Sequence, residues 1–263
     1  MKNSSLITPE ISNRILSAQR IWLFLDYDGT LADFAPNPDI IIQDRELIQL
    51  LKQLSSYSKM RLSIISGRRL NHILKLIPID NIDHAGSYGI EIRLRNGKSI
   101  NRMDLSILRP IIDRIKPLWS GLIEDQNGYY LEDKGWTLAI HARRAAPGNI
   151  EKTLSNARSI ASTIAPDKYF KILGGYKFIE IAPLKADKAN STKYLLDQFS
   201  VPNQLPIFMG DDDKDEAAFS VIYSAGGLPI LISKKPRQSK ALIRLNSPAD
   251  TRRWLIELMN LIA

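Results

Sequence analysis

The 263-residue chain contains no cysteine. Disulfides, zinc–thiolate centres and thiol catalysis are therefore excluded together, and a reducing compartment is the natural expectation. Histidine is nearly as scarce, with only His72, His84 and His141. Their spacing matches no metal motif, and His72 and His84 are read as structural. No apolar run approaches the roughly 20 residues that span a bilayer, and the opening Met1–Glu10 lacks the apolar length of a secretory signal. The expectation is a soluble, cytoplasmic protein with no membrane partner. Low-complexity tracts are also absent. With 44% hydrophobic and 24% charged residues, the chain can bury one sizeable core or two smaller ones. The net charge of +8 alone would admit an anionic substrate or a nucleic acid. Its basic residues are scattered, however, apart from a modest cluster at Lys234, Lys235, Arg237, Lys240 and Arg244. No recognition-helix, zinc-finger or RNA-stacking pattern accompanies them. That cluster is read as a solvated face, and no nucleic-acid partner is expected.

The most informative segment is Ile21–Thr30, Ile-Trp-Leu-Phe-Leu-Asp-Tyr-Asp-Gly-Thr. Its five apolar residues suit a strand buried on both faces. Asp26 and Asp28 then fall at the carboxyl end of that strand, where open α/β sheets bind ligands. Two carboxylates there suit a nucleophile, an acid/base partner and a hard cation. An ordinary Asp-Gly turn reads the same residues more plainly.

The surrounding pattern predicts a discontinuous core. Thr8-Pro9-Glu10 has the form of a helix start. Leu47, Leu50, Leu51 and Leu54 recur at helical spacing within 44–57, a strand at 62–65 ends at Ser66-Gly67-Arg68, and a helix follows over 68–77. Strand, helix, strand, helix is the pattern of a parallel sheet. Asn96-Gly97 marks a hairpin between strands at 90–94 and 98–101. From 104 the character becomes helix, hairpin, helix, hairpin, with helices near 104–119 and 148–164 and strands at 129–133, 136–142, 169–173 and 177–181. After Pro183 the α/β pattern resumes, with a helix at 187–199, strands at 206–209 and 229–232, and a last helix that starts at Ser247-Pro248. The predicted organisation is an α/β core over 1–107 and 184–263 with a parallel sheet, and an inserted smaller α+β domain over 108–183.

Four short segments lie at strand ends or helix starts, and the parallel-strand rule brings several of them to one crevice. They are Asp26–Thr30, Ser66 with Gly67 and Arg68, Lys188, and the acidic run Gly210–Asp215. Asp211, Asp212, Asp213 and Asp215 crowd four acids into five positions. Such crowding is costly through like-charge repulsion unless a cation is present, although Asp is also common at helix N-termini.

In order and context, Asp26–Thr30, Ser66, Lys188 and Gly210–Asp215 resemble the four motifs of the haloacid-dehalogenase superfamily, and 108–183 resembles its cap domain. Within that superfamily the local sequences are most similar to the trehalose-6-phosphate phosphatases. The similarity lies in 23–31, Ile-Ser-Gly-Arg at 65–68, 84–91, 131–143, Ile-Glu-Ile-Ala-Pro at 179–183 and 210–219, nearly the whole chain. The resemblance implies a Rossmann-like core with a cap, and Mg²⁺-dependent hydrolysis of trehalose 6-phosphate to trehalose through an aspartyl-phosphate. The alternatives are a related phosphatase for another sugar phosphate, or a non-catalytic sugar-phosphate-binding regulator. It implies Asp26 as nucleophile, Asp28 as general acid/base, and Ser66 and Lys188 as phosphate ligands, with Thr30 supporting the loop of Asp28. It implies a metal held by Asp26, Asp28, Asp211 and Asp212, with Gly29, Gly67, Arg68 and Asp215 in support. For the sugar, the cap candidates are Glu132, Lys134, His141, Arg143, Lys177 and Glu180. A functional link to a trehalose-6-phosphate synthase is left open. The chain departs from the family pattern at Tyr88, Ala182, Ala189 and Lys214.

Overall fold

The computed structural model describes residues 5–34, 42–175 and 177–263. Residues 1–4, on which part of the leader expectation rests, lie outside them. Among the described residues no helix is long and apolar enough to cross a membrane. The chain divides into two compact units, Met1–Ile100 with Asp187–Ala263, and Asn101–Ala186.

The first unit is built on an eight-stranded sheet. In chain order its elements are α1 (Pro9–Ser17), β1 (Arg20–Leu25), α2 (Arg45–Ser56), β2 (Met60–Ile65), α3 (Leu70–Leu76), β3 (Asp83–Gly86), β4 (Glu91–Arg93) and β5 (Ser99–Asn101). The second unit contributes α4 (Leu105–Ile123), β6 (Tyr130–Asp133), β7 (Leu138–His141), α5 (Ile150–Ile164), β8 (Phe170–Gly175) and β9 (Phe178–Pro183). The first unit then resumes with α6 (Lys188–Phe199), β10 (Gln204–Gly210), α7 (Glu216–Ser224), β11 (Leu228–Ile232), β12 (Ile243–Leu245) and α8 (Pro248–Ile262).

The large sheet runs β12-β11-β10-β1-β2-β3-β4-β5. It is parallel from β12 to β3, and β4 is antiparallel to β3. The period-2 pleat divides β1 between two cores. Ile21, Leu23 and Leu25 pack with Ile11 and Ile15 of α1, Leu47 and Leu51 of α2, and Trp254 and Leu258 of α8. Trp22 and Phe24 face the other way, with Leu195 of α6 and Phe219 of α7. The next residue of that parity is Asp26, on the face that α6 and α7 cover.

Local chemistry fixes the helix starts. Thr8, Asp44 and Ser247 accept from the amides of Ile11, Leu47 and Asp250, which satisfies donors that helix geometry leaves orphaned. The polar strand β3, which no local pattern marks, is held by a buried network. Asp83 Oδ2 accepts from Arg61 Nε at 2.8 Å and Ser63 Oγ at 2.9 Å, and Ser63 Oγ accepts from Trp22 Nε1 at 2.8 Å. The Arg61 guanidinium lies 3.8 Å from the Trp22 ring centroid.

The second unit is a four-stranded sheet, order β6-β7-β9-β8, antiparallel throughout. Leu131, Ile140 and Ile179 share one row of the register, and the fully buried Ile140 lies on the side packed by α4 and α5. Trp119 of α4 is buried there and donates Nε1 to the carbonyl of Ala157 at 2.9 Å. The opposite face carries the rows Tyr130–His141–Phe178 and Glu132–Ala139–Glu180.

Candidate active site

Asp26 follows β1 directly, and its amide continues the ladder to the carbonyl of Met209 at 3.0 Å. The residue is 4% exposed. Lys188 opens α6, one residue after the cap Asp187, whose Oδ1 accepts from the amides of Ala189 and Asn190. That cap fixes Lys188 at the first helical position. Its Nζ lies 2.8 Å from Asp26 Oδ1 and 2.7 Å from Asp215 Oδ1. Asp215, fully buried, also accepts with Oδ2 from the amides of Asp211 at 3.1 Å and Asp212 at 3.0 Å. The acidic turn therefore winds around Asp215. Thr30 Oγ1 reaches both Asp26 Oδ2 at 3.3 Å and Asp211 Oδ1 at 3.4 Å.

Gly29 has φ +81°, and a Cβ there would overlap the Asp211 carboxylate. Asp211 can thus sit against the 26–30 loop only because position 29 has no side chain. Gly67 plays the same steric part under Tyr88, whose ring would meet any Cβ at that position. Tyr88 has φ +57°. Its amide donates to the carbonyl of Ser66 at 2.8 Å, and its carbonyl accepts from Ser191 Oγ at 2.6 Å. Ser66 is buried, and its Oγ accepts from the Arg68 amide at 3.1 Å.

The electrostatics follow from burial. Desolvation pushes the Asp26 carboxyl well above its ordinary range, with Lys188 opposing and Asp215 adding to the rise. Asp211 is lifted to about 6, chiefly by burial, against the pull of its hydrogen bond with Asp26 and of Lys188. For Lys188 burial acts against the charge, but Asp215 and Asp26 outweigh it and hold the ammonium well above its ordinary value.

Asp26, Asp211 and Asp215 each place a carboxylate oxygen within 4.8 Å of the other two. Three hard oxygen donors so close together, with one ammonium paired to two of them, fit a divalent cation of the magnesium type. Asp212, expected as a ligand, is exposed and is not one of this trio. Thr30, expected to support the Asp28 loop, directs its hydroxyl at Asp26 and Asp211. Asp28 meets Arg68, which donates Nε to Oδ2 at 2.7 Å and Nη2 to Oδ1 at 2.6 Å.

In the second unit, four of the expected sugar-binding residues form one cluster on the sheet face opposite α4 and α5. His141 Nε2 donates to Glu132 Oε2 at 2.9 Å. Lys134 Nζ lies 3.4 Å from Glu132 Oε2 and 3.2 Å from Glu180 Oε1, and Glu180 is fully buried. Burial opposes the charge of Glu132, but the hydrogen bond from His141 and the charge of Lys134 prevail and hold its pKa below the usual value. His141 sits between the Tyr130 and Phe178 rings, at centroid distances of 6.0 and 5.3 Å. Arg143 is exposed in the turn after β7. Lys177 has φ +56°, and its carbonyl accepts from the Ala142 amide. Arg237 was not among the expected residues, yet it contacts the acidic turn at Asp211 and Asp213. Its only signal in the sequence is membership of the basic cluster.

The sequence profile described as trehalose-phosphatase matches residues 24–250. Trehalose-phosphate phosphatase B of Arabidopsis thaliana is 28% identical over 254 residues, 92% of this chain and 67% of that protein. A trehalose 6-phosphate phosphatase of Zea mays is 26% identical over 259 residues, 92% of this chain and 70% of that one. Among solved structures, the C-terminal domain of the Candida albicans trehalose-6-phosphate phosphatase aligns with TM-score 0.79 at 22% identity, covering 97% of each chain. The C-terminal domain of a Candida albicans trehalose synthase regulatory protein aligns with TM-score 0.72 at 12% identity, covering 99% of this chain and 100% of that one. At these identities the solved structures show a shared fold.

Proposed function

The chain belongs to the trehalose-phosphatase family, and from that premise we propose that it hydrolyses the phosphate ester of trehalose 6-phosphate with Asp26 as nucleophile. The carrying observation is the buried contact of Asp26 with Lys188 at the end of β1, with Asp211 and Asp215 closing around it. An Asp26 oxygen attacks phosphorus, the bond from phosphorus to the sugar oxygen breaks, and Asp28 delivers a proton to the departing oxygen. Water then attacks the aspartyl-phosphate, giving up a proton to Asp28 as phosphate leaves. Lys188 and Ser66 hold the phosphoryl oxygens, and Lys188 keeps Asp26 oriented meanwhile. Asp26, Asp211 and Asp215 would hold magnesium, which when bound offsets the repulsion between carboxylate and phosphate.

The sugar is assigned to the polar face of the second unit. Glu132, Lys134, His141 and Glu180 offer paired acceptors and donors of the kind sugar hydroxyls need, flanked by the rings of Tyr130 and Phe178. A second reading, hydrolysis of a different sugar phosphate, draws on Tyr88 and Lys214. At these two departures from the family pattern Lys214 Nζ donates to the Tyr88 hydroxyl at 3.3 Å, beside Gly67. Comparison of kcat/KM across a panel of sugar phosphates separates the two.

A regulatory protein shares the fold, so fold alone does not argue for turnover; the Asp26–Lys188–Asp211 constellation does. The test is phosphate release from trehalose 6-phosphate with and without Mg²⁺. Magnesium-dependent release is expected, and a folded protein that binds the ester without releasing phosphate would support the regulatory reading instead.

A further inference from the structure

The basic cluster at 234–244 is not only a solvated face. Arg237, on the segment after β11, reaches the acidic turn. Its Nη1 donates to Asp213 Oδ1 at 2.5 Å and lies 3.1 Å from Glu216 Oε1, and its Nη2 donates to the main-chain oxygen of Asp211 at 3.3 Å. The Lys240 amide holds the other Glu216 oxygen at 2.8 Å. The contacts are unequal. Asp213 is 89% exposed, and a pair so open to water contributes little. The bond to the Asp211 carbonyl and the Glu216 pair are better sheltered, and they act on the backbone of the turn. Asp211 is therefore gripped at both main-chain groups. Its amide donates to Asp215, its carbonyl accepts from Arg237, and between them its carboxylate is aimed at Thr30.

We propose that Arg237 is a positioning residue for Asp211, and that it strengthens binding of a divalent cation although it is itself a cation. The inference rests on the reading that Asp26, Asp211 and Asp215 hold that cation. Two effects oppose each other. Coulomb repulsion between guanidinium and metal weakens binding, whereas a fixed Asp211 backbone strengthens it. The contact on the Asp211 main chain decides the balance, because the Arg237 side chain is 26% exposed and water screens its charge, while the bond to the Asp211 carbonyl is local and directional. The planar fork matters as well. A guanidinium bonds the carbonyl and Asp213 at once while its charge faces Glu216, and a lysine ammonium is a point charge on a flexible stem.

The test is calorimetric titration of the full chain with MgCl₂, without substrate, for the wild type, Arg237→Gln and Arg237→Lys. Positioning predicts that Arg237→Gln binds Mg²⁺ about tenfold more weakly, the lower end for partners that orient metal ligands. It predicts that Arg237→Lys restores part of the affinity at most, and that kcat at saturating Mg²⁺ changes far less than the Mg²⁺ affinity. If the glutamine variant does not fold, Arg237→Lys carries the test alone, since it keeps the charge and loses the fork. Mg²⁺ affinity that is unchanged or tighter in either folded variant overturns the proposal. Absence of Mg²⁺ binding by the wild type overturns the metal reading on which it rests.

Discussion

Asp28 gives both of its carboxylate oxygens to one side chain, the Arg68 guanidinium, at 2.6 and 2.7 Å. The pair is fixed at its other end, where the Arg68 amide donates to Ser66 Oγ and the Arg68 carbonyl accepts from the Ser87 amide at 2.7 Å. Each of these oxygens keeps a second lone pair outside the fork, where a proton can be taken up or released. On the proposed mechanism Asp28→Asn lowers kcat for the sugar ester by about 10²–10⁴-fold, the usual worth of general acid–base catalysis. In kcat/KM, which reports the first displacement and not the shared hydrolysis of the aspartyl-phosphate, the loss is much smaller for an aryl phosphate, whose leaving group needs no proton. Steady-state kinetics on both esters check this, and equal losses in kcat/KM would remove Asp28 from the acid role.

Lys188 pairs with two buried carboxylates. Its replacement by Met leaves Asp26 and Asp215 facing each other, and breaking a buried pair in this way costs about 3–5 kcal/mol. Added Mg²⁺ should recover part of that stability if the acids hold the cation. Denaturant unfolding of Lys188→Met, with and without Mg²⁺, measures both effects. Equal midpoints under the two conditions would count against the metal site.

The Asp83 network is remote from this chemistry. Asp83→Ala strands the buried Arg61 guanidinium and is expected to destabilise the fold by about 3–5 kcal/mol. Below the melting transition kcat should stay near the wild-type value. Urea unfolding combined with kinetics checks the separation, and a fall in kcat without loss of stability would contradict it.

Asp133 gives the acid-stability prediction. Burial opposes its charge, but hydrogen bonds from Arg109, Lys116 and the Gly135 amide prevail and hold the carboxyl well below the usual carboxylate range. A depressed pKa contributes stability above the unfolded value of about 3.9 and loses it as pH falls toward the folded value. The stability gap between wild type and Asp133→Asn should therefore be level from neutrality down to mild acid and shrink below about pH 4. A gap that widens with acidification would reverse the assigned sign.

Glu180→Gln tests the sugar-recognition role of the second unit. A hydrogen bond with a charged partner contributes about 1.5–3 kcal/mol, so kcat/KM for the sugar phosphate should drop by roughly 10–100-fold. A small aryl phosphate should barely notice the change. Parallel kinetics on the two esters decide it, and a common loss would make Glu180 structural.

Much of the core was legible because its strands carry their own signal. Ile21–Leu25 is apolar at every position, and its pleat alone places Asp26 beside the helices that follow the second unit. Lys188 was findable as the first residue after an Asp cap. β3 was not, because Asp83–Gly86 carries neither an apolar run nor an apolar periodicity. The partners of Asp83 are Arg61 and Ser63 on β2, distant in sequence, and that of His84 is the Ile77 carbonyl across the loop before β3. The same limit hid Arg237, whose role depends on where the segment after β11 returns to the acidic turn. Within that turn the spacing of four Asp residues could not say which faces inward. The ladder bonds and the short helical turn that begins at Asp213 bury Asp215 and turn Asp212 outward.

The central claim is that Asp26 carries the phosphoryl group. The most direct measurement is phosphate release from trehalose 6-phosphate, at saturating Mg²⁺, by a folded Asp26→Asn protein beside the wild type. The account predicts turnover by the wild type and none above background by the variant, with the unfolding transition intact. Retained turnover in Asp26→Asn would contradict it.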